Sequence, residues 1–310
     1  MNTTIRNVQP VTENLGKEGS GEFVPSRYAV RIGEVDVALI SDGILPLPTS
    51  TMSTNVSEAD RNEWFDGRFL QRDMFDWALN IALVRSGERL ILIDSGVGDG
   101  FEYFSRAGQS VMRLETAGID LAAITDIVIT HMHMDHVGGL NVEGIKAKLR
   151  PDVRIHVSSA EVTFWQNPDF SKTVMPEAVP PALRKAAARF VELYSDNIVQ
   201  FDQTVNVAPG VSARVTGGHT PGHCVVDVAS NGEKLTFVGD AIFEVGFENP
   251  EWQNGFEHEP EVAAAVRIGL LNDAAETGAL LAATHVAFPS IGHIAKAGKS
   301  FRFVPVQWDY

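Results

Sequence analysis

The stretch DIVITHMHMDHVGGL, residues 126–140, places four polar side chains directly after a short apolar run. Its first five residues are rich in β-branched side chains and predict a short buried strand. The polar residues that follow are His131, His133, Asp135 and His136. Alternate residues at a strand end point the same way, so we expect His131 and His133 on one side. The other two side chains, carried by the following turn, are expected on the opposite side.

The histidines and the aspartate of this stretch are suited to bind a metal ion. Neutral imidazole and carboxylate are the ligands that zinc and similar divalent ions bind in proteins. A buried group of histidines without a metal would leave many polar atoms to be satisfied, at a considerable cost in free energy. The spacing therefore favours a metal site over histidines that pack or are solvated by chance.

The overall composition is that of a globular protein. The chain has 310 residues, of which 44% are hydrophobic and 21% are charged, and its formal net charge is −15. So negative a chain repels phosphate backbones and anionic lipids, which disfavours nucleic-acid and membrane partners and favours a small-molecule substrate. The single cysteine, Cys224, excludes an intrachain disulfide and a cysteine-based zinc cluster. The N-terminus lacks an apolar targeting segment and no long apolar run follows, which predicts a soluble, cytoplasmic protein.

Strand and helix patterns alternate along the chain, with β-rich stretches in both halves. Residues 28–43 predict two strands joined near Gly33, and the apolar runs on either side of Ser86 predict a hairpin. Residues 46–55 predict a loop, and residues 179–195 predict a helix with proline near its start. Two sheets covered by helices fit this succession better than one doubly wound sheet, so we expect an α/β (α+β) fold of that kind.

The first 27 residues differ from the rest of the chain. Residues 1–27 are polar, rich in Asn, Thr, Glu and Gly, and lack periodicity. They predict a mobile N-terminal arm, which can order against a partner subunit in a homodimer. No linker divides the remaining sequence, so residues 28–310 are predicted to form a single domain.

Four further motifs accompany the histidine stretch. They are LIDSG at residues 92–96, GGHTPGH at 217–223, VGDA at 238–241 and ATHVAFPSIGHI at 283–294. In this order the five motifs resemble the signature of the metallo-β-lactamase superfamily, and the resemblance covers about residues 28–295. It implies an αββα sandwich of two mixed β-sheets flanked by helices.

The resemblance also implies a site for two divalent metal ions, zinc in the first place, although manganese, iron and cobalt accept the same ligands. The ligands that it implies are, for the first ion, His131, His133 and His219, for the second ion, Asp135, His136 and His285, and, as the bridge between them, Asp240. Two such ions generate a hydroxide near neutral pH. Asp135 and Asp240 are the expected catalytic carboxylates, and Asp135 is expected to take a proton and pass it to the leaving group.

Other residues near these motifs have plainer expected roles. Asp94 either orients a ligand histidine or caps a turn, and His223 is expected to lie behind the ligands. His156 lies within a predicted strand and is expected to be structural. His258 lies near the start of a predicted helix and is expected to be exposed.

The last third of the chain is similar to the methyl parathion hydrolase-like and lactonase-like branch of the superfamily, including the pattern H-x-x-F-P-x-x-G-H at residues 285–293. Asp240 stands where β-lactamases with a metal-binding cysteine carry that cysteine, which disfavours β-lactam hydrolysis. Phe243 stands where N-acyl homoserine lactonases commonly carry tyrosine. Aromatic residues near the motif loops predict an apolar pocket. The residues predicted to line it are Phe164, Trp165, Phe243, Phe288 and His293.

The predicted function is the hydrolysis of a small, fairly apolar ester or lactone by a metal-bridged hydroxide. An organophosphate triester hydrolase and a β-lactam hydrolase are the alternatives among hydrolases. A non-catalytic metal-binding protein and a redox metalloprotein are the alternatives outside that class. The complete set of implied ligands favours an enzyme, because non-catalytic members of such a fold usually lose one or more of them.

Overall fold

Two seven-stranded β-sheets form the centre of the structure, a computed structural model that describes residues 25–99 and 106–307. The strands of the first sheet follow one another in chain order and are β1 (Arg27–Ile32), β2 (Val35–Pro48), β3 (Met74–Ser86), β4 (Arg89–Ile93), β5 (Asp126–Val128), β6 (Arg154–Ser158) and β7 (Ile198–Phe201). Those of the second sheet are β8 (Thr204–Ala208), β9 (Val211–Val215), β10 (Cys224–Ser230), β11 (Glu233–Phe237), β12 (Leu280–Ala282), β13 (Ile291–Ala297) and β14 (Ser300–Pro305).

Both sheets combine parallel and antiparallel pairs. In the first sheet β1 to β4 pair antiparallel and β4 to β7 pair parallel. In the second sheet only β11 and β12 pair parallel within the described residues, and the other neighbours are antiparallel. The prediction of two mixed sheets is therefore confirmed.

Helices cover the outer faces of the sheets. The α-helices of the described residues are α1 (Glu58–Asp66), α2 (Ser110–Thr116), α3 (Met134–Asn141), α4 (Ile145–Lys148), α5 (Ser159–Gln166), α6 (Val179–Tyr194) and α7 (Pro260–Thr277). Side chains of α2, α3 and α6 pack with the first sheet, and those of α7 pack with the second. In β4, Leu90 and Leu92 face these helices, whereas Ile91 and Ile93 face the other sheet, as the two-residue period of a strand requires. The layers are thus αββα, as predicted.

The local turn predictions are confirmed. Ile32 pairs with Val35 across the turn at Gly33, and Ser86 pairs with Arg89 across the second hairpin. The predicted N-terminal arm lies outside the described residues except for its last three. No helix in the described parts of the chain is long and apolar enough to cross a membrane.

The loop prediction for residues 46–55 is wrong at its beginning, because β2 continues to Pro48 and pairs with the first half of β3. The neighbouring strand β1 pairs only with residues 35–40 of β2, so the end of β2 is an edge. Proline, which lacks an N–H group, is tolerated on such an edge. This extension matters for function because it carries Leu45, Leu47 and the opposite residue Trp77 towards the candidate site.

Candidate metal centre

The seven residues predicted as ligands lie together where strands of both sheets end. His131 and His133 follow β5, Asp135 and His136 lie in the first turn of α3, His219 follows β9, Asp240 follows β11, and His285 follows β12. Each of these side chains is buried, and the most exposed residue, Asp135, is 9% exposed. Residues far apart in sequence meet here because the carboxyl ends of these strands share one end of the sandwich.

The potential ligand atoms form two adjacent groups, within each of which they all lie within 4.8 Å of one another. The three-histidine group contains His131, His133 and His219, and the mixed group contains Asp135, His136, Asp240 and His285. The Asp240 carboxylate contacts both groups. Its Oδ2 lies 3.4 Å from His219 Nε2 and 2.9 Å from His285 Nε2, and its Oδ1 lies 3.2 Å from His136 Nε2. One carboxylate therefore stands between the two groups.

Asp94 holds His136 from behind. The Asp94 Oδ2 atom accepts from His136 Nδ1 at 2.8 Å and from the Thr130 hydroxyl at 2.8 Å. The Oδ1 atom accepts from the Thr130 backbone N–H at 2.8 Å. The Nε2 atom faces the mixed group, and because a proton is held on Nδ1, Nε2 is the nitrogen that can bind a metal ion. Of the two roles left open for Asp94, the structure assigns the orientation of a histidine, and Asp94 secures the strand end as well.

His223 and Trp77 support two further members of the mixed group. His223 Nε2 accepts from the backbone N–H of Asp240 at 3.2 Å, so this histidine holds the chain behind the carboxylate and belongs to neither group. His285 donates from Nδ1 to the Ala78 carbonyl at 2.9 Å, and its ring packs edge-on against Trp77 with centroids 5.0 Å apart. These contacts come from the turn before β10 and from β3, and they hold the Asp240 backbone and the His285 ring in place.

Glu161, at the beginning of α5, is a buried residue that the sequence analysis missed. Its Oε1 accepts from the Met132 backbone N–H at 2.8 Å and from the Trp165 indole N–H at 2.7 Å. Its Oε2 accepts from the Thr220 hydroxyl at 2.6 Å. Met132 and Thr220 are sequence neighbours of the three histidines, so Glu161 clamps their two loops to each other. A lone glutamate in a short helix has no sequence pattern that could have indicated this contact.

The prediction that His258 is exposed is wrong, since this residue is 5% exposed. Its Nε2 lies 3.3 Å from His133 Nε2, and its Nδ1 lies 2.9 Å from the Asp169 carbonyl oxygen. Its backbone N–H donates to the His219 carbonyl at 2.8 Å. The position of His258 near the start of a predicted helix led to the expectation of exposure, whereas the packing of this segment against the histidine loops buries it. By contrast, His156 belongs to neither group, and its Nε2 atom lies 3.0 Å from Asp126 Oδ1. This contact agrees with the structural role expected for His156.

The two groups differ in electrostatic potential. Burial, together with the neighbouring rings, lowers the pKa of each imidazole in the three-histidine group well below its usual value, so these rings are neutral. In the mixed group burial also acts to lower the pKa of His285, but Asp240 and Asp135 outweigh it and raise this pKa to about 10. The negative potential that favours protons there also favours a divalent cation, whose binding releases protons.

Several buried polar atoms of the two groups have no hydrogen-bond partner in the described parts of the chain. They include His131 Nε2, His136 Nε2 and Asp240 Oδ1. Buried polar atoms are nearly always paired in folded proteins, so these atoms require another partner. Imidazole nitrogen and carboxylate oxygen are the ligand atoms of zinc and related ions. The residues therefore fit two divalent metal ions, one in each group.

A family model for the metallo-beta-lactamase superfamily matches residues 75–284, more than half of the chain. The chain belongs to the metallo-β-lactamase superfamily. The fold is similar to that of solved structures. AidC, a dizinc quorum-quenching lactonase in complex with a product, N-hexanoyl-L-homoserine, is 26% identical with a TM-score of 0.82, over 92% of this chain and 99% of that chain. The hydrolase AbOPH in the beta lactamase superfamily is 25% identical with a TM-score of 0.81, over 93% and 100% of the two chains.

A curated relative from Drosophila melanogaster, Beta-lactamase-like protein 2 homolog, is 28% identical over 174 residues. These residues are 54% of this chain and 51% of the relative, so the chain spans about half the length of this curated relative. The match supports membership of the metallo-β-lactamase superfamily and leaves substrate and partners to be argued from the site.

The two groups open into a pocket with an empty volume of about 490 Å³, part of it open to solvent. Its apolar walls are formed by Leu45, Leu47, Trp77, Val179, Leu183 and Phe256. Asn254 adds one amide, and Asp135, Asp240 and three of the histidines lie at the inner end. No lysine or arginine is among the lining residues that the structure describes. The pocket of this metallo-β-lactamase superfamily member thus combines apolar walls with a polar inner end, without a lysine or arginine in its described lining.

Three of the predicted pocket residues lie away from it. Phe243 is 1% exposed and stacks behind Trp77, with ring centroids 6.0 Å apart. Phe288 packs against the core between the two sheets. His293 is exposed on β13, where its Nδ1 lies 3.0 Å from the Gly278 carbonyl oxygen. Their assignment to the pocket is wrong because nearness to a motif in sequence does not set the direction of a side chain.

The other two predicted pocket residues, Phe164 and Trp165, lie beside the three-histidine group without lining the pocket. The Phe164 ring packs edge-on against His258 at 4.8 Å, and the Trp165 ring packs edge-on against His133 at 5.8 Å. Their aromatic surface is used to support histidines. Phe164 and Trp165 are not among the residues that line the pocket of about 490 Å³, and their role towards a substrate stays a prediction.

Proposed function

We propose that this protein is a dinuclear metal-dependent hydrolase that cleaves small, fairly apolar esters or lactones. The observation that carries the proposal is the position of Asp240, between two groups of ligand atoms that open into an apolar pocket. The proposed ligands are the seven residues of the two groups, with Asp240 as the bridge and zinc as the metal. Two bound divalent ions supply a hydroxide nucleophile near neutral pH and polarise the oxygen of the scissile group.

Asp135 is the proposed proton carrier of the reaction. It lines the pocket, and its Oδ2 lies 3.3 Å from His285 Nε2. Although burial raises the pKa of Asp135, the neighbouring His136 and His285 lower it below its usual value, so the carboxylate is ionised. An ionised carboxylate at the inner end of the pocket can accept a proton and return it to the leaving oxygen.

The pocket also supports a substrate class. Its apolar walls and the lack of lysine or arginine in its described lining favour an uncharged substrate with an apolar chain. Asn254 Oδ1 accepts from the Phe256 backbone N–H at 2.9 Å, which orients the amide and leaves its NH₂ group to donate. An ester or lactone that carries an additional carbonyl oxygen would meet this donor. The similarity to the dizinc lactonase AidC supports the same class.

Uncharged phosphotriesters are the second candidate, because a pocket with apolar walls and no lysine or arginine in its described lining suits them equally well. The β-lactam alternative is less well supported, since β-lactam antibiotics carry a carboxylate and the described lining offers no lysine or arginine to bind it. Activity measurements are therefore needed to distinguish esters and lactones from phosphotriesters, because the fold alone does not determine the substrate.

The proposal is tested by a panel of γ- and δ-lactones, aryl esters, a β-lactam and phosphotriesters, assayed with metal-analysed protein. Each substrate is measured with and without a chelator, and Asp240→Ala protein purified in parallel controls for contaminating esterases. We expect chelator-sensitive turnover that is strongest on lactones or esters with an apolar chain. Turnover strongest on phosphotriesters would support the second candidate. Two bound metals without hydrolysis of any substrate would contradict both.

A further inference from the structure

We propose that His258 is a positioning residue that prepares the three-histidine group for a metal ion. It would do so by fixing which nitrogen of His133 carries the proton and by holding the loop of His219. This inference rests on the proposed function in so far as the three-histidine group binds a metal. It concerns a residue that belongs to neither group of ligand atoms.

The direction of the hydrogen bonds follows from the Asp169 carbonyl. A carbonyl oxygen can only accept, so the Nδ1 atom of His258, 2.9 Å away, is the protonated nitrogen. In the neutral ring, Nε2 of His258 is then an acceptor. It lies 3.3 Å from His133 Nε2, which must therefore donate. The chain of contacts thus places the proton of His133 on Nε2.

The consequence for His133 is an unprotonated nitrogen on the side of the ring that faces the group. His133 Nδ1 lies 3.1 Å from His219 Nε2, so it is the nitrogen of His133 that faces another member of the group. A metal ion binds a histidine only through a deprotonated nitrogen. Without an acceptor at residue 258, the proton of His133 can move to Nδ1, and that tautomer cannot bind the ion.

The backbone of His258 holds the other part of the group. Its N–H donates to the His219 carbonyl at 2.8 Å, and the Glu259 N–H donates to the Gly218 carbonyl at 2.9 Å. Gly218 has a φ of 92°, and a Cβ atom there would lie 2.6 Å from the Ala263 Cα atom. The beginning of α7 is therefore packed directly on the loop of His219, and His258 connects this loop to His133.

The ring of His258 has little freedom to turn away. Phe164 and Phe170 pack against it with centroid distances of 4.8 Å and 5.1 Å, and the ring of Trp165 lies 6.4 Å away. Trp165 also packs against His133, so this one indole ring contacts both histidine rings. Since the residue is 5% exposed, water has little access to replace the acceptor.

Two substitutions separate the hydrogen bond from the packing. His258→Phe keeps an aromatic ring of similar size and removes the acceptor, whereas His258→Gln restores an oxygen acceptor near the position of Nε2. His293→Phe is the matched control, because His293 is an exposed histidine on β13 that contacts neither group. Metal affinity is measured by competition with a chromophoric chelator, starting from protein stripped of metal, and urea unfolding of the same samples verifies that each variant is folded.

We expect His258→Phe to weaken the binding of one ion per chain by roughly 10- to 100-fold, as for other residues that orient a ligand histidine. His258→Gln should recover most of this affinity, and His293→Phe should bind as the unsubstituted protein does. Unchanged affinity in His258→Phe, or a loss in His258→Gln as large as in His258→Phe, would overturn the proposal.

A second measurement needs no substitution and decides the matter if His258→Phe does not fold. Nitrogen NMR of the metal-stripped protein with ¹⁵N-labelled histidine reports the tautomer of each neutral ring. We expect His133 to be protonated on Nε2, and protonation on Nδ1 would overturn the inference. Failure of the proposed function is distinguishable, because a protein that hydrolyses no substrate can still show the expected tautomer and metal affinities.

Discussion

Arg267 offers the sharpest test of how the pocket is held in shape. It lies on α7, is fully buried, and its guanidinium donates to the carbonyl oxygens of Ala241, Pro250 and Trp252 at 3.1, 2.8 and 2.7 Å. It also forms an ion pair with the buried carboxylate of Glu257. These contacts bind the whole segment between Asp240 and α7, which carries two residues of the pocket lining.

Arg267→Met is expected to destabilise the fold because Glu257 loses its buried partner. The substitution removes the cation and leaves the Glu257 carboxylate buried and uncompensated. Removing one partner of a buried ion pair costs about 3–5 kcal/mol in the free energy of unfolding. This is a large part of the total stability of about 5–15 kcal/mol that is usual for a domain. The double variant Arg267→Met/Glu257→Gln carries no uncompensated charge and should be more stable than Arg267→Met.

The assay is urea unfolding followed by circular dichroism. Arg31→Met is the matched control, because Arg31 forms an exposed ion pair with Asp36 at 2.7 Å, and such pairs contribute at most about 1 kcal/mol. Because Asn254 and Phe256 lie in the segment that Arg267 holds, we also expect KM to rise in Arg267→Met more than kcat falls. A loss of stability below 1 kcal/mol, or a double variant no more stable than the single one, would refute the reasoning.

Three further predictions concern other residues. Asp240→Ala should lower the metal content, measured by elemental analysis, from two ions per chain towards one or none; two retained ions with unchanged turnover would contradict the bridging role. Asn254→Leu removes a hydrogen-bond donor worth about 1 kcal/mol. KM should therefore rise about fivefold for esters with an extra carbonyl oxygen and stay unchanged for simple aryl esters. An equal rise for both kinds of ester would exclude a hydrogen bond from Asn254 to that oxygen. Burial raises the pKa of Asp126, but hydrogen bonds that include those from His156 and Arg89 outweigh burial and lower this pKa to about 2. The ionised carboxylate therefore stabilises the fold above pH 4, and this stabilisation is lost as the pH falls towards 2. Asp126→Asn should therefore be less stable by about 2 kcal/mol at pH 6 in urea unfolding, with a difference that narrows below pH 4; a constant difference would contradict the assignment.

Much of the fold could be predicted because its signals are local. The turn at Gly33, the hairpin after Ser86 and the helix over residues 179–195 each depend on a few adjacent residues, and the structure has all three. The end of β2 could not be predicted in this way. Prolines and threonines indicate a loop, and only the pairing with β3 along a free edge allows the strand to continue there.

The pocket shows the same limit more clearly. Trp77 lines the pocket and Phe243 stacks behind it, although Phe243 is the residue that lies next to a motif. The number of residues between a side chain and a ligand limits its distance from the site. The path of the backbone decides whether that side chain points into the pocket. The contacts of Glu161 and His258 were missed for the same reason, since each joins loops that are remote from it in the chain.

The sequence by itself determined the spacing of four potential ligands within residues 131–136 and the positions of the local turns and of the helix over residues 179–195. Both follow from short-range geometry, because a strand end and the following helical turn set the directions of adjacent side chains. The resemblance to the superfamily implied that His219, Asp240 and His285 meet this segment, and only the tertiary structure decided which residues enclose the pocket and that His258 is buried. These contacts depend on how strands of two sheets end at one edge, and no local pattern contains that information.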